Sequence, residues 1–208
     1  MKHIKEINTI KKISGTQKFV SFFGKSTVPT ESESYQFTEA ATRFVLSKEY
    51  GVIHGGYAGG CMQAVADSAY TYLQEHQLPQ ERNIAIPQRE HDEVGWDRVA
   101  NATFTSAARN IFERLELVTG QSQYVCICPR GGDGTLLEIG VLYHTNSLAP
   151  YTGDAIVPMI FLQTPDGTDW KKIMQNLTKD LDSSYQSVEE IPWMHFVSSI
   201  EELSEIIK

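Results

Sequence analysis

"YVCICPRGGDGTLLEIG", residues 124–140, runs an apolar segment into three glycines and then into a stretch of helical period. Five apolar residues closed by Pro129 read as a buried strand, and the Thr-Leu-Leu-Glu that follows reads as the start of a helix. Glycine at a strand-to-helix turn lets backbone come close to a ligand, and the free N–H groups of the helix's first turn favour an anion. Gly131, Gly132 and Gly134 therefore read as a phosphate cradle, with Arg130 adding charge and Thr135 a hydroxyl donor. No Lys-Ser/Thr pair stands at P-loop spacing, and the loop lacks the spacing of a dinucleotide fingerprint. Glu138 falls three residues after Thr135, nearly on the same helical face. It would repel a phosphate in direct contact, yet it could reach a sugar hydroxyl or a water beyond one. Asp133, the loop's remaining charge, is expected to face solvent.

Outward from this unit, short apolar runs alternate with longer amphipathic segments, the pattern of a parallel sheet with crossover helices. Six strands are expected, at residues 18–23, 52–54, 83–86, 123–128, 156–162 and 195–197. The fold class is α/β, a Rossmann-like, doubly wound, mostly parallel sheet with helices on both faces. Open sheets of this kind bind ligands at the carboxyl ends of their strands, beside the switch in strand order. Two other strand ends carry unusual loops: Gly24-Lys25-Ser26, and Gly55-Gly56-Tyr57-Ala58-Gly59-Gly60. In the strand order 3-2-1-4-5-6 both meet the 130–135 loop in one crevice. Gly24, Lys25, Ser26, Gly55, Gly56 and Gly59 thus join the ligand-binding set.

Helical stripes follow: Phe37, Ala41, Phe44 and Val45; Met62, Val65, Ala66, Ala69 and Leu73; Phe104, Ala108, Ile111, Phe112 and Leu115; Trp170, Ile173, Met174, Leu177 and Leu181; and Ile200, Leu203 and Ile207. Arg109 sits in a polar break of the third stripe. Residues 77–81, 88–94 and 146–154 read as polar loops, with the acidic cluster at 90–93 solvated rather than a metal site. With 208 residues and 41% apolar composition the chain can bury one full core. Residues 1–17 read as an N-terminal extension or short helix and residues 18–208 as a single Rossmann-like domain. A formal charge of −8 argues against nucleic acid as a partner. No segment has the h-region of a secretory signal or the length of a membrane span. Three cysteines, Cys61, Cys126 and Cys128, make no even framework and read as buried thiols in a cytoplasmic protein.

The pair "GVIHGGYAGGCMQAVADSA" (51–69) and "RGGDGTLLE" (130–138) resembles the LOG family of cytokinin-activating nucleotide hydrolases, long labelled possible lysine decarboxylases. "SFFGKS" (21–26) is similar to the family's opening strand and turn, and "SAARNIFE" (106–113) stands in the place of its Arg-Lys helix. The resemblance spans roughly residues 19–140. It implies a Rossmann-like homodimer that takes an AMP-like nucleoside 5′-monophosphate and hydrolyses its N-glycosidic bond to free base and ribose 5-phosphate. By position, Gly131, Gly132, Gly134 and Thr135 would hold the phosphate, and Arg109 and Glu138 would be the catalytic pair. No cofactor and no metal is implied. Arg130 stands where the motif has proline, Asn110 where it has lysine, and His54 precedes the first glycine loop. The alternative reading is a non-catalytic nucleotide or molybdenum-cofactor carrier of the same superfamily.

Overall fold

A computed structural model describes residues 2–179 and 187–208. Its strands are β1 (Phe19–Phe23), β2 (Gly51–His54), β3 (Asn83–Ala85), β4 (Thr103–Phe104), β5 (Tyr124–Ile127), β6 (Met159–Leu162) and β7 (Met194–Val197). They form one sheet in the order β4-β3-β2-β1-β5-β6-β7, and every pairing is parallel. The chain reverses direction of travel across the sheet between β1 and β5, so the ends of β2, β1 and β5 lie side by side.

Side chains alternate between two cores, as the two-residue period of a strand requires. Phe19, Phe23, Ile53, Ile84, Val125, Ile127, Met159 and Phe161 face one; Val20, Phe22, Val52, Cys126, Ile160 and Leu162 face the other. The first face is covered by α1 (Lys2–Ser14), α5 (Ile111–Thr119), α6 (Asp133–Thr152) and α7 (Trp170–Thr178). The second is covered by α2 (Glu33–Ser47), α3 (Gly60–Glu75) and α8 (Ile200–Ile206). A short α4 (Arg89–Glu93) stands outside both layers, beyond the end of β3. The cysteines are free and buried.

Several sequence expectations change. The sheet has a seventh strand, because Phe104 belongs to β4 and not to a helical stripe; Asn110 accepts from the Glu113 N–H and starts α5 only at Ile111. Phe112 consequently points outward, 75% exposed, while Arg114, Leu115, Leu117 and Val118 are the buried positions. The short helix expected at the N-terminus is α1, and it inserts Ile7 and Ile10 into the first core. Residues 146–152 are helical: the buried Asn146 amide pairs both ways with the Val157 backbone, and α6 continues to a left-handed Gly153 at φ +76°. Residues 89–93 likewise coil into α4. Leu181 lies outside the described residues. Among the described residues no helix is long and apolar enough to cross a membrane.

Candidate functional site

The three glycine loops are stitched together by backbone. The Lys25 N–H donates to Arg130 O at 2.9 Å, and the Cys61 N–H donates to Lys25 O at 2.9 Å. This close approach is what the glycines permit: a Cβ on Gly59 would stand 2.6 Å from Ser26 O, and one on Gly24 would stand 2.7 Å from the Cβ atoms of both Cys61 and Cys128. The loops frame a cleft of about 220 Å3 at the strand ends, lined among others by Gly24, Lys25, Ser26, Gly55, Gly132, Gly134, Thr135 and Glu138.

One wall is the start of α6. Helices α2, α5, α7 and α8 begin with Ser32, Asn110, Asp169 and Ser199, whose side chains accept from their own first-turn amides. Helix α6 begins at Gly132, which has no side chain to cap it, and the amides of Asp133, Gly134 and Thr135 meet no acceptor among the described residues. A Cβ at Gly132 or Gly134 would meet nothing within 4 Å, so the space above these amides is open. Unpaired N–H groups at a helix start form an anion site. Thr135 is buried, its hydroxyl accepting from the Gly132 N–H at 3.3 Å. Asp133 is exposed at the rim, as expected.

Glu138 lies at the cleft floor, 6% exposed. Burial pushes its carboxyl up to about 7, and the Arg114 guanidinium 3.5 Å away only partly offsets this. Arg114 is itself buried, held by a hydrogen bond from Nε to Ile86 O at 3.1 Å. Its guanidinium packs where a Cβ on Gly55 would otherwise sit, which is why β2 is followed by glycine.

The expected partner of Glu138, Arg109, is elsewhere. It precedes α5, its side chain is 70% exposed, and it pairs with Glu113 at 3.2 Å. Arg114 occupies the place beside Glu138 because it lies in register with Leu117 and Val118 on the buried face of α5. That cation at i, i+3 and i+4 spacing with an apolar stripe is the sequence signal that identifies it. Arg130 also leaves the cleft: it lines a separate cavity with Asp166, 3.8 Å away. Gly131 lies against the Trp170 indole, which is fully buried and donates to Cys128 O at 2.9 Å. Gly56 and Gly59 shape the loop at φ +81° and +90° rather than line the cleft. Asn110, in the place of the family lysine, is the cap of α5. His54 Nδ1 accepts from the Gly56 N–H, so its Nε2–H faces Asn83 Oδ1 at 3.0 Å; burial pushes this imidazole down to about 4, and it stays neutral.

Tyr57, His91 and Trp96 line the far wall; Tyr57 belongs to the glycine loop, whereas His91 and Trp96 come from the stretch read as a solvated loop and its continuation and were not expected. Among the described residues no group of three or more His, Cys, Asp or Glu could hold a metal ion.

No family model matches the sequence, and no curated protein does. Solved structures share its fold. The molybdenum cofactor binding protein from the phototrophic bacterium Rippkaea orientalis aligns with a TM-score of 0.57 over 92% of this chain and 95% of its own, at 17% identity. The molybdenum cofactor carrier protein MCP from Chlamydomonas reinhardtii aligns at 0.55 over 90% and 94%, with 14% identity. DNA processing protein A from Streptococcus pneumoniae aligns at 0.52 over 92% of this chain and 62% of its own, with 13% identity. These similarities are of fold: the Rossmann-like α/β architecture is common to all.

Proposed function

We propose that this protein is a nucleoside 5′-monophosphate phosphoribohydrolase, cleaving the N-glycosidic bond of AMP or a related purine nucleotide with water. The observation that carries the reading is the buried carboxyl of Glu138, standing near 7 beside Arg114 and one helical turn behind the open amides of Gly134 and Thr135.

The 5′-phosphate would accept from the amides at the start of α6 and from Thr135, where backbone dipoles favour a dianion. The attached ribose would then lie over Glu138. Breaking C1′–N develops positive charge on the sugar, and a carboxylate in a water-poor floor stabilises that charge strongly. The bond's electron pair leaves with the base, which takes up a proton from solvent; water oxygen bonds to C1′, and the water's proton passes to Glu138, which returns it to solvent to close the cycle. A base with a pKa near 7 is matched to that transfer at neutral pH. Arg114 holds the carboxylate in place and keeps a working fraction of it ionised. It takes the catalytic partnership that the resemblance assigns to Arg109.

The fold shared with molybdenum cofactor carriers supports a second reading, a non-catalytic carrier of a phosphate-bearing ligand. Incubating the protein with a panel of purine and pyrimidine monophosphates, followed by chromatography for free base, separates the two. Base released from at least one nucleotide supports the hydrolase. No base from any of them, together with a raised melting temperature, supports the carrier.

The homodimer implied by the resemblance needs an apolar surface that the core does not use, and the apolar positions of α3 are spent in the core. Leu136, Leu137, Leu148 and Tyr151 remain exposed on α6, and sedimentation of a Tyr151→Glu variant tests that face: the parent is expected as a dimer and the variant as a monomer.

A further inference from the structure

We infer that Trp96, backed by His91, is the stacking wall that receives the base of the bound nucleotide and selects a purine. This rests on the nucleotide reading above and adds the recognition element that the phosphate cradle and Glu138 do not supply.

The wall is built, not incidental. Trp96 N–H donates to His91 O at 3.1 Å, folding residues 91–96 into a turn that stacks the two rings, centroids 4.3 Å apart and 14° from parallel. Both rings meet Tyr57 edge-on, at 5.0 and 5.7 Å. Tyr57 is buried, and its hydroxyl accepts from the Gln88 N–H at 2.7 Å. Two backbone bonds, Ala58 N–H to Asp97 O at 2.8 Å and Val99 N–H to Gly56 O at 3.0 Å, zip the segment onto the glycine loop. The Arg98 guanidinium grips the Asp92 carboxylate through two nitrogens, at 2.6 and 3.1 Å.

Fixing an indole this firmly while leaving it 46% exposed is unusual for a solvated loop. With one face on His91 and an edge on Tyr57, the uncovered area includes the second π-face, and Trp96 lines the cleft. His91 Nδ1 is shielded from solvent and has no hydrogen-bond partner among the described residues. The cleft contacts run in the order a nucleotide requires. The α6 amides lead to Glu138, Glu138 to Arg114, Arg114 to Gly55, and the loop from Gly55 to Tyr57 and the His91–Trp96 stack. Phosphate, sugar and base would follow that path, and the larger ring area of a purine gains more from the indole face than a pyrimidine does.

The test is calorimetric titration of the full chain and of Trp96→Leu with AMP, UMP and ribose 5-phosphate. The inference expects AMP affinity to fall about 10-fold or more, equivalent to about 1.4 kcal/mol. UMP should lose less, ribose 5-phosphate should change less than 2-fold, and Trp96→Phe should recover part of the loss. Unchanged AMP affinity, or an equal loss for ribose 5-phosphate, overturns it. Should Trp96→Leu misfold, the parent chain suffices: Trp170 and Trp193 are buried, so acrylamide-accessible emission reports Trp96. AMP should shield that emission; emission quenched equally with and without AMP overturns the wall. Shielding without base release would leave the wall standing and remove the hydrolase, whereas base release without shielding would do the reverse.

Discussion

Two arginine–glutamate pairs meet at the first turn of α5, one exposed and one buried, and they differ in almost everything except chemistry. Arg109 and Glu113 meet at 3.2 Å at the surface, where the carboxyl is held below its ordinary value by the Arg109 backbone N–H and then by the guanidinium. Arg114 and Glu138 meet at 3.5 Å in the cleft floor, where burial outweighs the arginine and the carboxyl rises to about 7. The same two side chains thus hold a carboxyl low at the surface and high when buried, and on the proposed reading only the buried one accepts a proton at neutral pH. Exposure, not pairing, decides which one can do chemistry.

The comparison is broken most severely by Glu138→Gln. It keeps the shape beside Arg114 but cannot take a proton, so turnover should fall by about 10^3-fold or more while AMP affinity changes only a few-fold. Steady-state kinetics beside calorimetry would measure both, and an unchanged rate removes Glu138 from the mechanism. Arg114→Ala should be next. It leaves the buried carboxyl unpaired and should cost about 3 kcal/mol or more by chemical denaturation at pH 8, with the Glu138 pKa rising further.

A third prediction uses the two buried titrating groups together. Glu138 stands near 7 in the folded chain against an ordinary 4.5, so its contribution to stability is full below pH 4.5 and lost as pH rises through 7. His54 stands near 4 against 6.5, so its contribution is full above pH 6.5 and lost as pH falls through 4. Between pH 4.5 and 6.5 the two slopes oppose each other and the parent's stability should be nearly level. Glu138→Gln should unmask a rise of roughly 3 kcal/mol between pH 4 and 6.5. A flat profile in that variant would mean that His54 is not held neutral by the fold.

Smaller effects sharpen the contrast. Thr135→Ala should weaken AMP about 10-fold and adenosine hardly at all; equal losses would count against the anion cradle. Arg109→Ala should cost less than about 1 kcal/mol and leave turnover within 2-fold, as an exposed pair should.

The strand–glycine–helix unit at 124–140 made the fold legible, because apolar runs of period two and a glycine turn admit few architectures. Glu138 was legible for the same reason: its spacing from Thr135 fixes its face once a helix is granted. Arg109 was placed in the site by its position in the resemblance alone, while the true helix start depends on the Asn110 side chain accepting from Glu113 N–H. Arg114 was passed over because the third stripe was traced through Ile111, Phe112 and Leu115; only its register with Leu117 and Val118 reveals it. The Tyr57–His91–Trp96 wall depends on backbone bonds between segments some 30–40 residues apart, and no local pattern encodes such a meeting. Arg130, read as adding charge to the anion site, turns instead to Asp166, while Gly131 beside it packs against Trp170.

The most direct test of the central claim is the pH dependence of kcat/KM for base release from AMP, in the parent and in Glu138→Gln. A buried carboxylate acting as base predicts a limb rising with unit slope through about pH 7 in the parent. In the variant that limb should vanish into a residual rate at least about 10^3-fold lower. A parent profile that is flat from pH 5 to 9, or a variant that keeps the same limb, would contradict the assignment of the proton-accepting role to Glu138.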